Sequence, residues 1–129
     1  MLGRQLPLLA LLAVSTAPLA AQTPPVAPDS ASVAAGKKIF EGAGLCFSCH
    51  GMNGEGMLGP TTILNAEKTK WLHHDGSWDA ITKLVAEGID GVKSTSGQIM
   101  APRGGSNITD AQLRQVAAYV MKLHRTKPK

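Results

Sequence analysis

Residues 46–50 read Cys46-Phe47-Ser48-Cys49-His50, with Gly51 directly after them. They contain both cysteines of a chain of 129 residues. With both thiols inside one short motif, a disulfide framework is excluded. Residues three apart in a helical turn share a face, so both thiols would point the same way, with the His50 imidazole beside them. Gly42-Ala43-Gly44-Leu45 leads in, and Gly51, Gly54, Gly56 and Gly59-Pro60 lead out. The motif is therefore expected on a short turn between glycine-rich loops.

Two thiols so placed can each add to one vinyl group of a haem, while the next residue offers its imidazole to the iron. Cys-x-x-Cys-His is the attachment signal for c-type haem. Two other chemistries use part of the pattern. A thiol–disulfide oxidoreductase would set its Cys-x-x-Cys between a strand and a helix of a βαβ unit, and no strand pattern surrounds this one. A zinc site would need completion by His73 or His74, yet there is neither a second Cys-x-x-Cys nor a paired His-x₃₋₅-His.

A haem iron in a carrier takes a sixth ligand, and a Met/His pair raises its potential. Past the export region the chain offers Met52, Met57, Met100 and Met121. Met52 and Met57 lie close to His50 in a loop that stays on its side. Met121 falls on the last helix, beside the packed face, and suits a gap-filling role. Met100 lies about 50 residues past His50, in Gly97-Gln98-Ile99-Met100-Ala101-Pro102. That loop can wrap over the far face of a haem, with Pro102 and Gly104-Gly105 shaping its exit.

Around these residues the chain alternates helix and loop. Met1 to about Ala21 has the pattern of a secretory signal, with Arg4 as positive end, an apolar run from Leu6 to Val14, and small residues at Ala17-Pro18-Leu19-Ala20-Ala21. The run is too short to span a membrane. Residues 22–32, rich in Pro, Ala and Ser, are expected to be a flexible linker. The folded domain should cover 33–124, with a polar tail over 125–129. A first helix is expected from Val33 to Glu41, capped by Ser30 or Ser32 and ended by Gly42 and Gly44. Ala66 to Leu72 reads as a short helix. Ser77 can cap another from Trp78 to Glu87, with Gly88 closing it. Asp90 to Asn107 reads as loop. Thr109-Asp110-Ala111-Gln112 is a capping box. It opens a helix whose Leu113, Val116, Ala117, Val120 and Leu123 mark one face.

From Gly36 to Leu123 the chain resembles the class I cytochromes c of bacterial periplasmic type. The likeness rests on Gly36-Lys37-Lys38-Ile39-Phe40, Cys46 to Gly51, Gly59-Pro60, Ile99-Met100-Ala101-Pro102 with Gly104-Gly105, and Leu113 to Leu123 with Tyr119. It implies an all-α fold in which the first and last helices cross around one covalent haem. Gly36 would then permit close approach, and Phe40 and Tyr119 would pack at the crossing. The resemblance also implies haem c held through Cys46 and Cys49, with its iron between His50 and Met100. It has the Pro60 carbonyl orient the His50 ring and lets Trp71 and Arg103 meet the haem propionates, with Trp71 equally suited to form a wall of the haem pocket. Two departures stand out. Phe40 to Cys46 is about two residues longer than the common pattern, and Met-Pro becomes Met100-Ala101-Pro102.

Thirteen basic against nine acidic residues give a formal charge of +4. That is no nucleic-acid footprint once Arg4 leaves with the signal and haem propionates are counted. Lys37, Lys38, Lys122, Arg125, Lys127 and Lys129 would form a basic patch only if the ends of the domain meet. His73 and His74 stand in a polar stretch and read as exposed loop residues. The sequence therefore points to a periplasmic, monomeric electron carrier that meets redox-protein donors and acceptors briefly. A haem subunit of a larger dehydrogenase or oxidase carries the same residues. A haem enzyme or gas sensor would instead need an open or labile sixth position.

Overall fold

The computed structural model describes Met1 and residues 27–65 and 71–126. The signal-like segment, most of the expected linker and residues 66–70 of the expected Ala66–Leu72 helix lie outside them. The described residues form four α-helices: α1, Ser30–Phe40; α2, Phe47–His50; α3, Trp78–Glu87; and α4, Asp110–His124. Two 3₁₀ turns, Pro60–Thr62 and Pro102–Gly105, punctuate the loops. The fold is all-α; among the described residues the only β pairing is an isolated antiparallel bridge between Ile89 and Met100.

The first helix starts three residues before the expected Val33. Asp29, rather than Ser30 or Ser32, is its cap: the carboxylate accepts from the Ser32 N–H at 2.6 Å. A carboxylate at this position satisfies an otherwise unpaired amide and also faces the positive end of the helix dipole. Residues 30–32 of the expected linker are thus helical. At the other end, Gly44 N–H closes onto Ile39 C=O at 2.8 Å. The capping box of α4 forms as its spacing demands. Thr109 Oγ1 accepts from Gln112 N–H at 3.3 Å, and Gln112 Oε1 accepts from Thr109 N–H at 2.8 Å. Ile108 and Leu113, placed to staple that helix start, are both buried.

α4 packs against α1 on one side and α3 on the other. The α1–α4 crossing turns on Gly36. A Cβ at that position would stand 1.9 Å from the Gln115 carbonyl oxygen, so only glycine lets the two backbones touch. Phe40 and Tyr119 meet edge-on just beside it, with ring centroids 5.3 Å apart and planes at 70°. α3 is fixed to α4 by Trp78, whose indole N–H donates to the Arg114 carbonyl at 2.7 Å. The Arg114 guanidinium lies 4.0 Å over the same ring and pairs with Asp79 at 2.6 Å. Phe40, Ile81, Leu113 and Val116, from all three long helices, form the fully buried centre.

The contact at Gly36 makes a direct prediction. Gly36→Ala should destabilise the folded protein by about 3 kcal/mol, because overpacking against backbone has no side chain to move aside. Denaturant unfolding followed by far-UV circular dichroism measures it, and an unchanged midpoint would refute the crossing geometry.

Candidate functional site

Leu45 enters the motif with φ of +56°, a left-handed turn that is costly for a branched side chain. The Ser48 hydroxyl stabilises it by donating to the Leu45 carbonyl at 2.6 Å. Cys46 then serves as N-cap residue of α2, and Cys49 and His50 follow on that single turn of helix. Cys46 is buried and Cys49 exposed. The Cys46 thiol donates to the Gly44 carbonyl at 3.4 Å. Burial pushes this thiol up to about 11, against the usual 9.0. Held neutral, it is a poor partner for oxidation to a disulfide with Cys49.

His50 Nδ1 lies 2.7 Å from the carbonyl oxygen of Thr62. A carbonyl only accepts, so Nδ1 carries the proton and Nε2 keeps its lone pair. Burial holds the His50 ring below its ordinary titration range, while the Thr62 bond pulls the other way. The ring is neutral near pH 7, as a metal-ligating imidazole must be.

The orienting carbonyl differs from the one expected. Pro60 opens the 3₁₀ turn, and its own carbonyl accepts from Ile63 N–H at 3.4 Å. The fixed φ of proline starts the turn, and the turn then presents the carbonyl two residues later. The Thr62 hydroxyl donates to Gly59 C=O at 2.8 Å and holds the turn closed.

His50 and Met100 both line two adjoining cavities, of about 110 and 270 Å³, which also share Thr61, His73 and Ile89. The first is walled by Phe40, Ile81, Leu84, Val85 and Val120; the second opens past Cys46 and Cys49. Among the described residues Met100 is the only methionine in either wall. Met52 and Met57 are exposed, and Met121 packs against the core. The Met100 backbone is fixed by the bridge to Ile89, with two N–H···O bonds of 2.8 Å. Gly88 makes room for this pairing, since a Cβ there would stand 2.3 Å from the Met100 carbonyl oxygen.

Trp71 lines the first cavity. It stacks on His124 of α4, centroids 3.9 Å apart, and meets His74 at 4.6 Å. His74 is therefore half-buried, not the exposed loop residue expected, whereas His73 is exposed. Arg103 lies elsewhere. Its backbone is left-handed, with φ of +56°. This turns the guanidinium toward the start of α4, where it donates to Ile108 C=O at 2.7 Å and to Asp110 Oδ1 at 2.6 Å. Among the described residues Arg103 lines neither cavity, and two of its five N–H groups are engaged at the start of α4.

The sequence model of the cytochrome c family matches residues 33–124. The chain belongs to the cytochrome c family. Cytochrome c-555 of Chlorobaculum thiosulfatiphilum is 32% identical over 88 residues, covering 68% of this chain and 92% of that protein. Cytochrome c-555 of Chlorobaculum tepidum is 31% identical over 88 residues, covering 68% and 73%. No solved structure matches significantly. The family carries a covalently attached haem c with its iron and works by electron transfer, and Cys46 and Cys49 have the attachment spacing. The site fits that group: an apolar cleft, two thiols at its mouth, and an imidazole with one nitrogen tied and the other free. Among the described residues no three His, Cys, Asp or Glu side chains are grouped so as to hold a metal ion.

Replacing both thiols, Cys46→Ala with Cys49→Ala, should abolish haem staining on a denaturing gel; staining that survives would place the attachment elsewhere. A pH effect follows from His74. Burial, with repulsion from His73 and His124, holds its ring below the ordinary 6.5 despite the opposing pull of Asp75. Such a group favours folding fully above the unfolded value and loses that contribution as pH falls below it. The melting temperature of His74→Gln should therefore drop less than that of the wild type between about pH 7.5 and about pH 5.

Proposed function

We infer that the protein is a mono-haem electron carrier of the periplasm, with the iron held between His50 Nε2 and the Met100 thioether. The observation that carries this reading is the His50–Thr62 bond. It fixes the tautomer and leaves the free nitrogen on a ring bordering the cleft that Met100 alone among the methionines also borders.

Cys46 and Cys49 anchor the group at the edge of α2. Bound haem supplies a one-electron iron couple. The chain supplies the rest. Phe40, Ile81, Leu84 and Val85 exclude water from the inner face of the cleft and disfavour the more highly charged state. Trp71 closes the same wall, held by His124. A neutral His50 and a neutral Met100 need no proton transfer on either side of the couple, so the two ligands serve oxidised and reduced states alike.

Partner proteins approach where the motif is open. Cys49, Leu45 and Leu58 are exposed on that side, which suits small, short-lived encounters. Lys37 is paired with Glu41, which weakens any basic patch at that end of α1. No helix of the described residues is long and apolar enough to cross a membrane. The export-like pattern over residues 1–21 supports action outside the cytoplasm.

Met100→His tests the ligand assignment. It should keep haem attached and lower the reduction potential by on the order of 0.1 V, within the span of about 0.8 V open to axial-ligand choice. The weak long-wavelength thioether band of the ferric state should vanish. An unchanged potential with the band intact would refute Met100 as ligand.

A further inference from the structure

The short turn Pro60–Thr62 touches both halves of the site. Its Thr62 carbonyl accepts from His50 Nδ1 at 2.7 Å. The neighbouring Thr61 hydroxyl reaches the other half, standing 3.1 Å from Gln98 Oε1 and 3.2 Å from Ser96 Oγ. One hydroxyl proton serves one of these oxygens at a time, and Ser96 can donate in return. Gln98 completes the link: its Nε2 donates to the Leu58 carbonyl at 2.6 Å. The segments so joined are about 40 residues apart in sequence, and both border the cavity at the motif.

Gln98 lies two residues before Met100. Met100 is thus held from two directions. Main-chain pairing with Ile89 ties it to the end of α3, and the Gln98 side chain ties the approach strand to the His50 side of the cleft. Three of the four participants, Thr61, Ser96 and Gln98, are exposed side chains that contribute little to the buried core.

We propose that Thr61 and Gln98 form a clasp across the haem cleft that keeps Met100 in place and sets how readily it leaves the iron. They are positioning residues: neither touches the metal, and both act through the loop. The proposal rests on the reading of Met100 as sixth ligand. For Met100 to swing out, the segment 96–100 must lift from 58–61, and the Gln98 amide must give up both of its bonds. An exposed side-chain pair of this kind restrains the loop without fixing it.

The test uses the ferric holoprotein mixed with saturating imidazole, so that loss of the thioether band reports Met100 release. Gln98→Ala should raise that rate about tenfold, and Thr61→Val about threefold, as expected for losing two and one modest hydrogen bonds. The double variant should fall short of the product of the two, because Thr61 and Gln98 are bonded to each other. Val92→Ser, at a fully exposed position of the same loop, should release at the wild-type rate. Global unfolding midpoints should stay level across the set. Wild-type release in Gln98→Ala, or faster release matched by an equal loss of global stability, would overturn the clasp. A wild-type protein lacking the thioether band would instead overturn the Met100 assignment, and the clasp with it.

Discussion

Everything in this molecule hangs on how closely α1 can approach α4. At Gly36 the helix backbones are in contact, with no room for even a methyl group against Gln115. That contact sets the angle at which Phe40 enters the core, and Phe40 is both the partner of Tyr119 and a wall of the cleft. α1 ends at Phe40, where the Gly44 N–H closes onto the Ile39 carbonyl and the chain turns toward the Cys46–His50 motif. A packed core transmits such a constraint because it has few voids to absorb a shift. The site is therefore positioned by a steric contact made by a residue with no side chain.

The second constraint is electrostatic and acts at the ring of His50. Cys46, Cys49 and His50 arrive on one turn of helix, but a turn of helix cannot choose an imidazole tautomer. The Thr62 carbonyl makes that choice from twelve residues away. The 3₁₀ turn that carries it is itself stabilised by proline at its first position and by the Thr62 hydroxyl bond to Gly59. Two short segments, neither long enough to be stable alone, are held in register by this part-buried hydrogen bond and by the bonds of the connecting loop to the Cys49 and His50 carbonyls.

How far the sequence revealed this depended on range. The capping box of α4, the cap of α3 at Ser77 and the turn around the cysteines are local, and their residues announce them. So did the family likeness and the all-α fold, which the family match confirms. Features that need a distant partner stayed hidden. Which of Asp29, Ser30 and Ser32 caps α1 is a competition among good caps, settled by the carboxylate. Pro60 marks the turn, but which carbonyl faces His50 depends on how that turn reverses. Trp71 and His124 are more than fifty residues apart and carry no mutual signature. The pairing of Arg103 with Asp110 follows from a left-handed backbone at Arg103 that nothing local in the sequence announces. The pairing of Ile89 with Met100 is one bridge long, too short to leave any periodic trace.

That bridge has a bearing on how such a chain can vary. Because Ile89 and Met100 are joined main chain to main chain, the residues between them form a closed loop whose two ends meet at the edge of the cleft. Val92 stands almost wholly in water, and Gly91 and Lys93 beside it are exposed. Insertions at 91–92, short of Ser94 and Thr95 on the cavity wall, would change the size of an excursion without moving its base, since lengthening an exposed loop costs little. The protein can thus alter its outline on that side, and with it the shape offered to other molecules, while the cleft keeps its dimensions.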